Sequence, residues 1–166
     1  MLQSLHVKNL ALIEETEIEF SKGLNILTGE TGAGKSLLIG SINLALGGKF
    51  EKDMVRRGAD SALVELVFEG ESRKVNEKLD ELGVEAQEDG TVILTRKLQN
   101  GKSICRLNGE TVTAKQVKEL AELLIDIHGQ HEHQSLLQHK KQLEIVDEFC
   151  GEEFVKAQKA AAESYR

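Results

Sequence analysis

The stretch from Leu24 to Leu38, LNILTGETGAGKSLL, restricts the fold of this chain more than any other. Gly29, Gly34, Lys35 and Ser36 fall in the spacing G-x-x-x-x-G-K-S. The apolar run Leu24-Asn25-Ile26-Leu27 precedes it, and Leu37, Leu38, Ile39 and Ile42 follow at helical intervals. The pattern predicts a strand, a tight glycine loop and a helix start, the order a phosphate cradle needs. Glycines suit such a loop because its backbone must adopt conformations a Cβ penalises and bring its N–H groups against phosphate oxygens. Lys35 offers a compact cation to the β- and γ-phosphates, and the Ser36 hydroxyl can ligate magnesium where the helix dipole already favours an anion. Gly29, Glu30, Thr31, Gly32, Ala33, Gly34, Lys35, Ser36 and Leu37 are therefore expected to line a nucleoside triphosphate, with Mg2+ at Ser36.

Bulk properties narrow the setting. A chain of 166 residues can bury a substantial core, and with no tryptophan and few aromatics that core must be aliphatic. A net charge of −7 excludes a surface that is basic throughout, so nucleic acid could be met only through a local patch. The densest positive spot is the polar connector after the loop helix, with Lys49, Lys52, Arg56 and Arg57. Cys105 and Cys150 have the spacing of neither a disulfide framework nor a zinc knuckle and point to a reducing compartment. No leader-like opening and no apolar stretch of membrane-spanning length is present, so a cytoplasmic location without membrane contact is expected.

Along the chain, residues 1–20 read as a hairpin turning at Lys8 to Leu12, a turn placed near the mouth of the phosphate loop where an adenine base could rest. Lys35 to Leu46 is the loop helix, stopped by Gly47-Gly48. Ala62 to Phe68, Val92 to Thr95 and Ser103 to Leu107 read as strands, with Gln99 to Lys102 and Asn108-Gly109 as turns, giving an antiparallel meander over 62–112. Ser72 to Leu82 is a short helix with Val75, Leu79 and Leu82 on one face. Thr113-Ala114-Lys115-Gln116 has capping-box spacing before the apolar stripe Val117, Leu120, Ala121, Leu124. Residues 152–166 are helical, polar and alanine-rich, a tail that reads as cut rather than finished.

Between these helices lies Asp126 to Gln134. His128, His131 and His133, with His139 beyond, invite a zinc reading but meet no standard ligand signature. Gln130 is more informative. A neutral amide on a turn returning toward the loop can ligate magnesium or hold an attacking water without competing with phosphate. Hydrolysis also needs an aspartate at the end of an apolar strand, usually beside a glutamate. Asp126 follows residues that belong to a helix, and Asp147-Glu148 sits in a segment of helical spacing. The hydrolytic half is expected elsewhere. Two rivals stay open: a self-contained small P-loop kinase or NTPase using Asp147 and Glu148, and a non-catalytic interaction module.

The opening LHVKNLALIEETEIEF, the loop TGETGAGKSLLIGSINLALGGK, the connector VRRGADSALVELVF, the strand pair ending CRLNGETV and the segment LLIDIHGQHEHQSLL together resemble the RecN family of bacterial DNA repair proteins, relatives of the structural-maintenance-of-chromosomes (SMC) ATPases. The resemblance implies an α/β fold, the N-terminal lobe of an ABC-type P-loop ATPase head (1–150) with an antiparallel β-subdomain. Residues 151–166 would begin a coiled coil. It makes Gln130 the Q-loop glutamine, so that Lys35 and Gln130 carry catalysis and Ser36 and Gln130 hold Mg2+. It implies ATP as cofactor, a C-terminal lobe carrying the ABC signature, the acidic strand and its glutamate, a second head as homodimer partner, and DNA. A cytoplasmic, nucleoid-associated place follows. In this family Lys8-Asn9 is expected near adenine, and Arg56 or Arg57 to sense DNA or a partner's nucleotide.

Overall fold

A computed structural model describes residues 1–29, 34–70, 72–127, 150, 154, 157, 160, 161 and 164, and the chain forms two compact units, Met1–Ile125 and Asp126–Arg166. In the second unit Phe154, Ala157, Ala160, Ala161 and Ser164 are helical, and the Ser164 hydroxyl donates to the Ala160 carbonyl at 2.9 Å. The first unit runs β1 (Leu2–Leu10), β2 (Ile13–Glu19), α1 (Lys35–Ala45), a 3-10 turn (Lys52–Met54), β3 (Ser61–Phe68), α2 (Arg73–Glu81), β4 (Val92–Gln99), β5 (Lys102–Leu107), β6 (Glu110–Val112) and α3 (Ala114–Leu124). Its strands form one six-stranded sheet in the order β2-β1-β3-β4-β5-β6, every neighbouring pair antiparallel.

Strand alternation sets the inner face. Leu5 and Val7 of β1, Ala62, Val64, Leu66 and Phe68 of β3, and Leu94 and Leu98 of β4 point to one side and are buried. In β1 the left-handed Asn9, φ 52°, shifts the phase so that Leu10 is buried too. Helices close this face. α1 packs on β3, β4 and β1 and contributes Leu44 and Ala45, α3 packs on β5 with Val117 and Leu120, and α2 packs on α3 with Val75 and Leu79. The outer face is mixed, carrying Lys8, Glu65, Thr95, Lys97 and Arg106 together with Leu63, Val67, Ile93 and Ile104.

Local signals behave as the residues require. Asn100-Gly101 and Asn108-Gly109, with φ of 52°, 69°, 47° and 90°, make the hairpin turns that need positive φ at both positions. Thr113 Oγ1 accepts from the Gln116 N–H at 3.2 Å while Gln116 Oε1 accepts from the Thr113 N–H at 2.9 Å, so the capping box opens α3. β4 runs on through Gln99, beyond the expected end at Thr95.

One expectation needs correction. Leu24 to Leu27 is no strand, and Leu24, Ile26 and Leu27 are 87%, 72% and 43% exposed. Asn25 instead folds onto its own backbone, accepting from the Ser21 N–H at 3.0 Å and donating to the Ser21 carbonyl at 2.8 Å. An extended segment needs a neighbouring strand to receive its N–H and C=O groups, and none among the described residues pairs with it. The expected meander is present, and β3 also pairs with β1 and draws the first hairpin into the same layer.

Two glycines, one in the middle of α1 and one just past its end, make contrasting demands. A Cβ on Gly47, where φ is 95°, would stand 2.6 Å from the Ala114 carbonyl oxygen, whereas one on Gly40 meets nothing within 4 Å. Gly40→Ala should stabilise this chain by about 0.5–1 kcal/mol through helix propensity, and Gly47→Ala should destabilise it by more than about 1 kcal/mol. Urea unfolding of the two variants checks both signs.

Candidate nucleotide-binding site

The glycine loop meets α1 at Gly34, whose φ of 89° and ψ of −2° are left-handed and serve as the helix N-cap. No side chain caps this end and no acidic residue lies in the first turn. The Leu38 N–H makes the first helical bond, to the Gly34 carbonyl at 2.9 Å. The leading N–H groups and the positive end of the helix dipole are thus left for an anion. Lys35 Nζ donates to the Gly29 carbonyl, so the ammonium closes the loop from its last residue to its first. The Ser36 side chain is exposed beside it. Lys35 thus meets Gly29, with Gly34, Ser36 and Leu37 at the same helix start. Glu30, Thr31, Gly32 and Ala33 lie outside the described residues, as do Gln130, the histidines 128, 131, 133 and 139, and the pair Asp147 and Glu148.

The hairpin tip and the basic connector form a second group. The Ala11 N–H donates to the Met54 carbonyl at 2.7 Å, the Arg56 N–H to the Asn9 carbonyl at 2.9 Å, and Leu10 bridges to Val55. Arg56 Nη1 reaches Glu14 Oε2 at 3.3 Å, while Arg57 has no ion-pair partner among the described residues. Ala11, Leu12, Asp53, Val55, Arg56 and Arg57 line a cavity of about 550 Å³, and Leu12 stands 87% exposed at its rim. The sequence placed this turn beside the phosphate loop, and the structure ties it to the connector. Pins of this kind join backbone groups some 45 residues apart, and no sequence pattern announces them.

Lys8 is paired with Glu15. Its Nζ donates to Glu15 Oε2 at 2.8 Å, and His6 Nε2 lies 3.0 Å from Glu15 Oε1. These contacts, Lys8 first, hold the Glu15 carboxyl below its ordinary 4.5. A depressed carboxyl contributes above its unfolded value and loses the contribution as pH falls through the folded one. The sequence also passed over Arg96. It occupies the inward phase of β4 between Leu94 and Leu98 and is 4% exposed. The signal was a charge at a buried register position, hidden because the strand was ended one residue short of it.

The chain matches the AAA domain family over residues 4–165 and belongs to that family. It is similar along nearly its whole length to proteins named DNA repair protein RecN. One, from Halalkalibacterium halodurans, is 46% identical over 91% of this chain and 27% of the relative. Another, from Bacillus subtilis, is 41% identical over all of this chain and 29% of the relative. The chain thus spans under a third of these relatives' length, and the resemblance carried by its loop and by LLIDIHGQHEHQSLL is borne out. The fold is that of an SMC head. A solved chain from work on ATP-driven dimerization and DNA stimulated activation of SMC ATPases superposes with a TM-score of 0.63 at 22% identity, covering 89% of this chain and 98% of that one.

Glu15 provides the check on this part of the site. Followed by carbon-detected NMR, it should titrate below the ordinary glutamate value of 4.5, and Lys8→Ala should move it back toward that value.

Proposed function

We propose that this chain is the ATP-binding lobe of an SMC-like ATPase acting in DNA double-strand break repair and recombination. One observation carries the reading: an uncapped helix start, free of acidic side chains, with the Lys35 ammonium held across the loop that precedes it. A triphosphate entering there exchanges the Gly29 carbonyl for its own oxygens as the partner of Lys35, and the first amides of α1 receive the remainder of its charge. The residues present fit a magnesium ion, since the Ser36 hydroxyl is exposed at the same end of α1 as Lys35. Ser36 would hold it together with Gln130, and when bound it supplies neutralisation of the β- and γ-phosphate charge.

The remaining assignments follow the same reading. Residues 1–150 form the lobe, and 151–166 start the coiled coil. The exposed Leu24, Ile26 and Leu27 support docking of the protein's own C-terminal lobe, because an apolar, unpaired extended segment offers both hydrogen-bonding groups and side chains to an added strand. That lobe would bring the signature motif and the glutamate acting on water, and a second head would complete each ATP site. Opening and closing of paired heads would govern the holding of DNA in the cytoplasm, on the nucleoid.

Lys35→Ala should weaken binding of ATP with magnesium by at least about tenfold, or about 1.4 kcal/mol, and abolish nucleotide-driven association of heads in the full-length protein. Calorimetry and sedimentation measure the two, and retained ATP-driven association would overturn the role. Turnover should be absent from this chain alone and appear when the C-terminal half is added; turnover by the chain alone that disappears in Asp147→Asn would establish the kinase-like rival instead.

A further inference from the structure

Arg96 is a cation in the wrong place for stability. Its neighbours across the strands, Val64 and Cys105, are 0% and 4% exposed, and the residues before and after it on the inward face are Leu94 and Leu98. Among the described residues no carboxylate pairs with it. Nε donates to the Ser103 hydroxyl, Nη2 lies 3.4 Å from the Gly48 carbonyl oxygen, and the buried Nη1 has no partner. A buried, unneutralised charge is costly, and an apolar side chain of the same volume is usually as stable or more so. The guanidinium therefore has to be explained by what it touches.

What it touches is the far end of the phosphate helix. Gly48 closes α1, with its N–H on the Asn43 carbonyl at 2.9 Å and the Gly47 N–H on the Leu44 carbonyl at 3.3 Å. This is the negative end of the dipole, where a cation is favoured. The junction has little room to move. A Cβ on Gly48 would stand 2.6 Å from the Asn43 oxygen, and one on Gly47 2.6 Å from the Ala114 oxygen of α3. From here the chain enters the connector whose Met54 and Arg56 backbones are pinned to the first hairpin. One side chain of the sheet thus holds the point where α1, with Lys35 and Ser36 at its other end, joins the segment bearing Arg56 and Arg57.

We propose that Arg96 is a positioning residue: by gripping the Gly48 carbonyl it fixes the tilt of α1 on the sheet and so the place of the phosphate loop. A helix is a stiff rod, and α1 is about 16 Å long, so a small rotation about Gly48 moves Lys35 and Ser36 by a comparable arc. The inference rests on the nucleotide reading of the loop.

The test uses the full-length protein with Arg96→Met, Arg96→Lys and Lys35→Ala. Arg96→Met should melt no lower than wild type, yet raise the KM for ATP by about tenfold or more with kcat changed far less, since misplacement of a binding group by about 1 Å is costly. Arg96→Lys, which keeps a cation at the same register position, should recover part of the loss. An Arg96→Met protein with the wild-type KM would overturn the proposal, as would a loss of activity that follows the unfolded fraction or is the same in Arg96→Lys. If Lys35→Ala keeps ATP binding, the nucleotide reading fails; if Lys35→Ala loses it and Arg96→Met does not, only the role of Arg96 fails.

Discussion

The pairing of β1 with β3 is the constraint on which the first unit depends. It joins residues 2–8 to 63–68 and turns a hairpin and a meander into one layer. Only with both present does the inner face become wide enough for α1, which rests on β1, β3 and β4 together. Each inward side chain of β3 is then enclosed by strands on both sides and a helix above, which accounts for the full burial of Val64 and Leu66. Such contacts reward the chain only after a long loop has been closed, so sheet and helix form as one cooperative unit.

On that platform the site is made chiefly by what is left unsatisfied. The amino end of α1 has neither a capping side chain nor an acid, and Lys35 turns back to a main-chain carbonyl of its own loop. These groups are held in water at modest cost and are poised for a polyanion. The carboxyl end is the reverse case, enclosed by α3, by its own last turn and by Arg96. One helix is thus open where charge is to be received and fastened where it meets the core.

The basic connector illustrates how an acidic chain can hold a positive group in a fixed place. Its backbone is tied to the first hairpin at Ala11 and Asn9, and Glu14 neutralises Arg56 while Arg57 is left to the cavity between them. The outer face of the sheet remains a mixed surface, while Leu24, Ile26 and Leu27 remain exposed apolar side chains.

Much of this could be seen in the residues themselves. The G-x-x-x-x-G-K-S spacing, the Asn-Gly turns, the capping box at Thr113 and Gln116 and the stop at Gly47-Gly48 are each decided by groups a few positions apart, so a single chain displays them fully. Tertiary structure decided the rest. Leu24 to Leu27 is apolar enough for a strand but lacks a neighbour among the described residues, the tip of the hairpin is tied to the connector, and a register position buried Arg96. Pairing, burial and register depend on partners many tens of residues away, and a residue's own chemistry says what it can bind but not which distant groups the fold will bring to it.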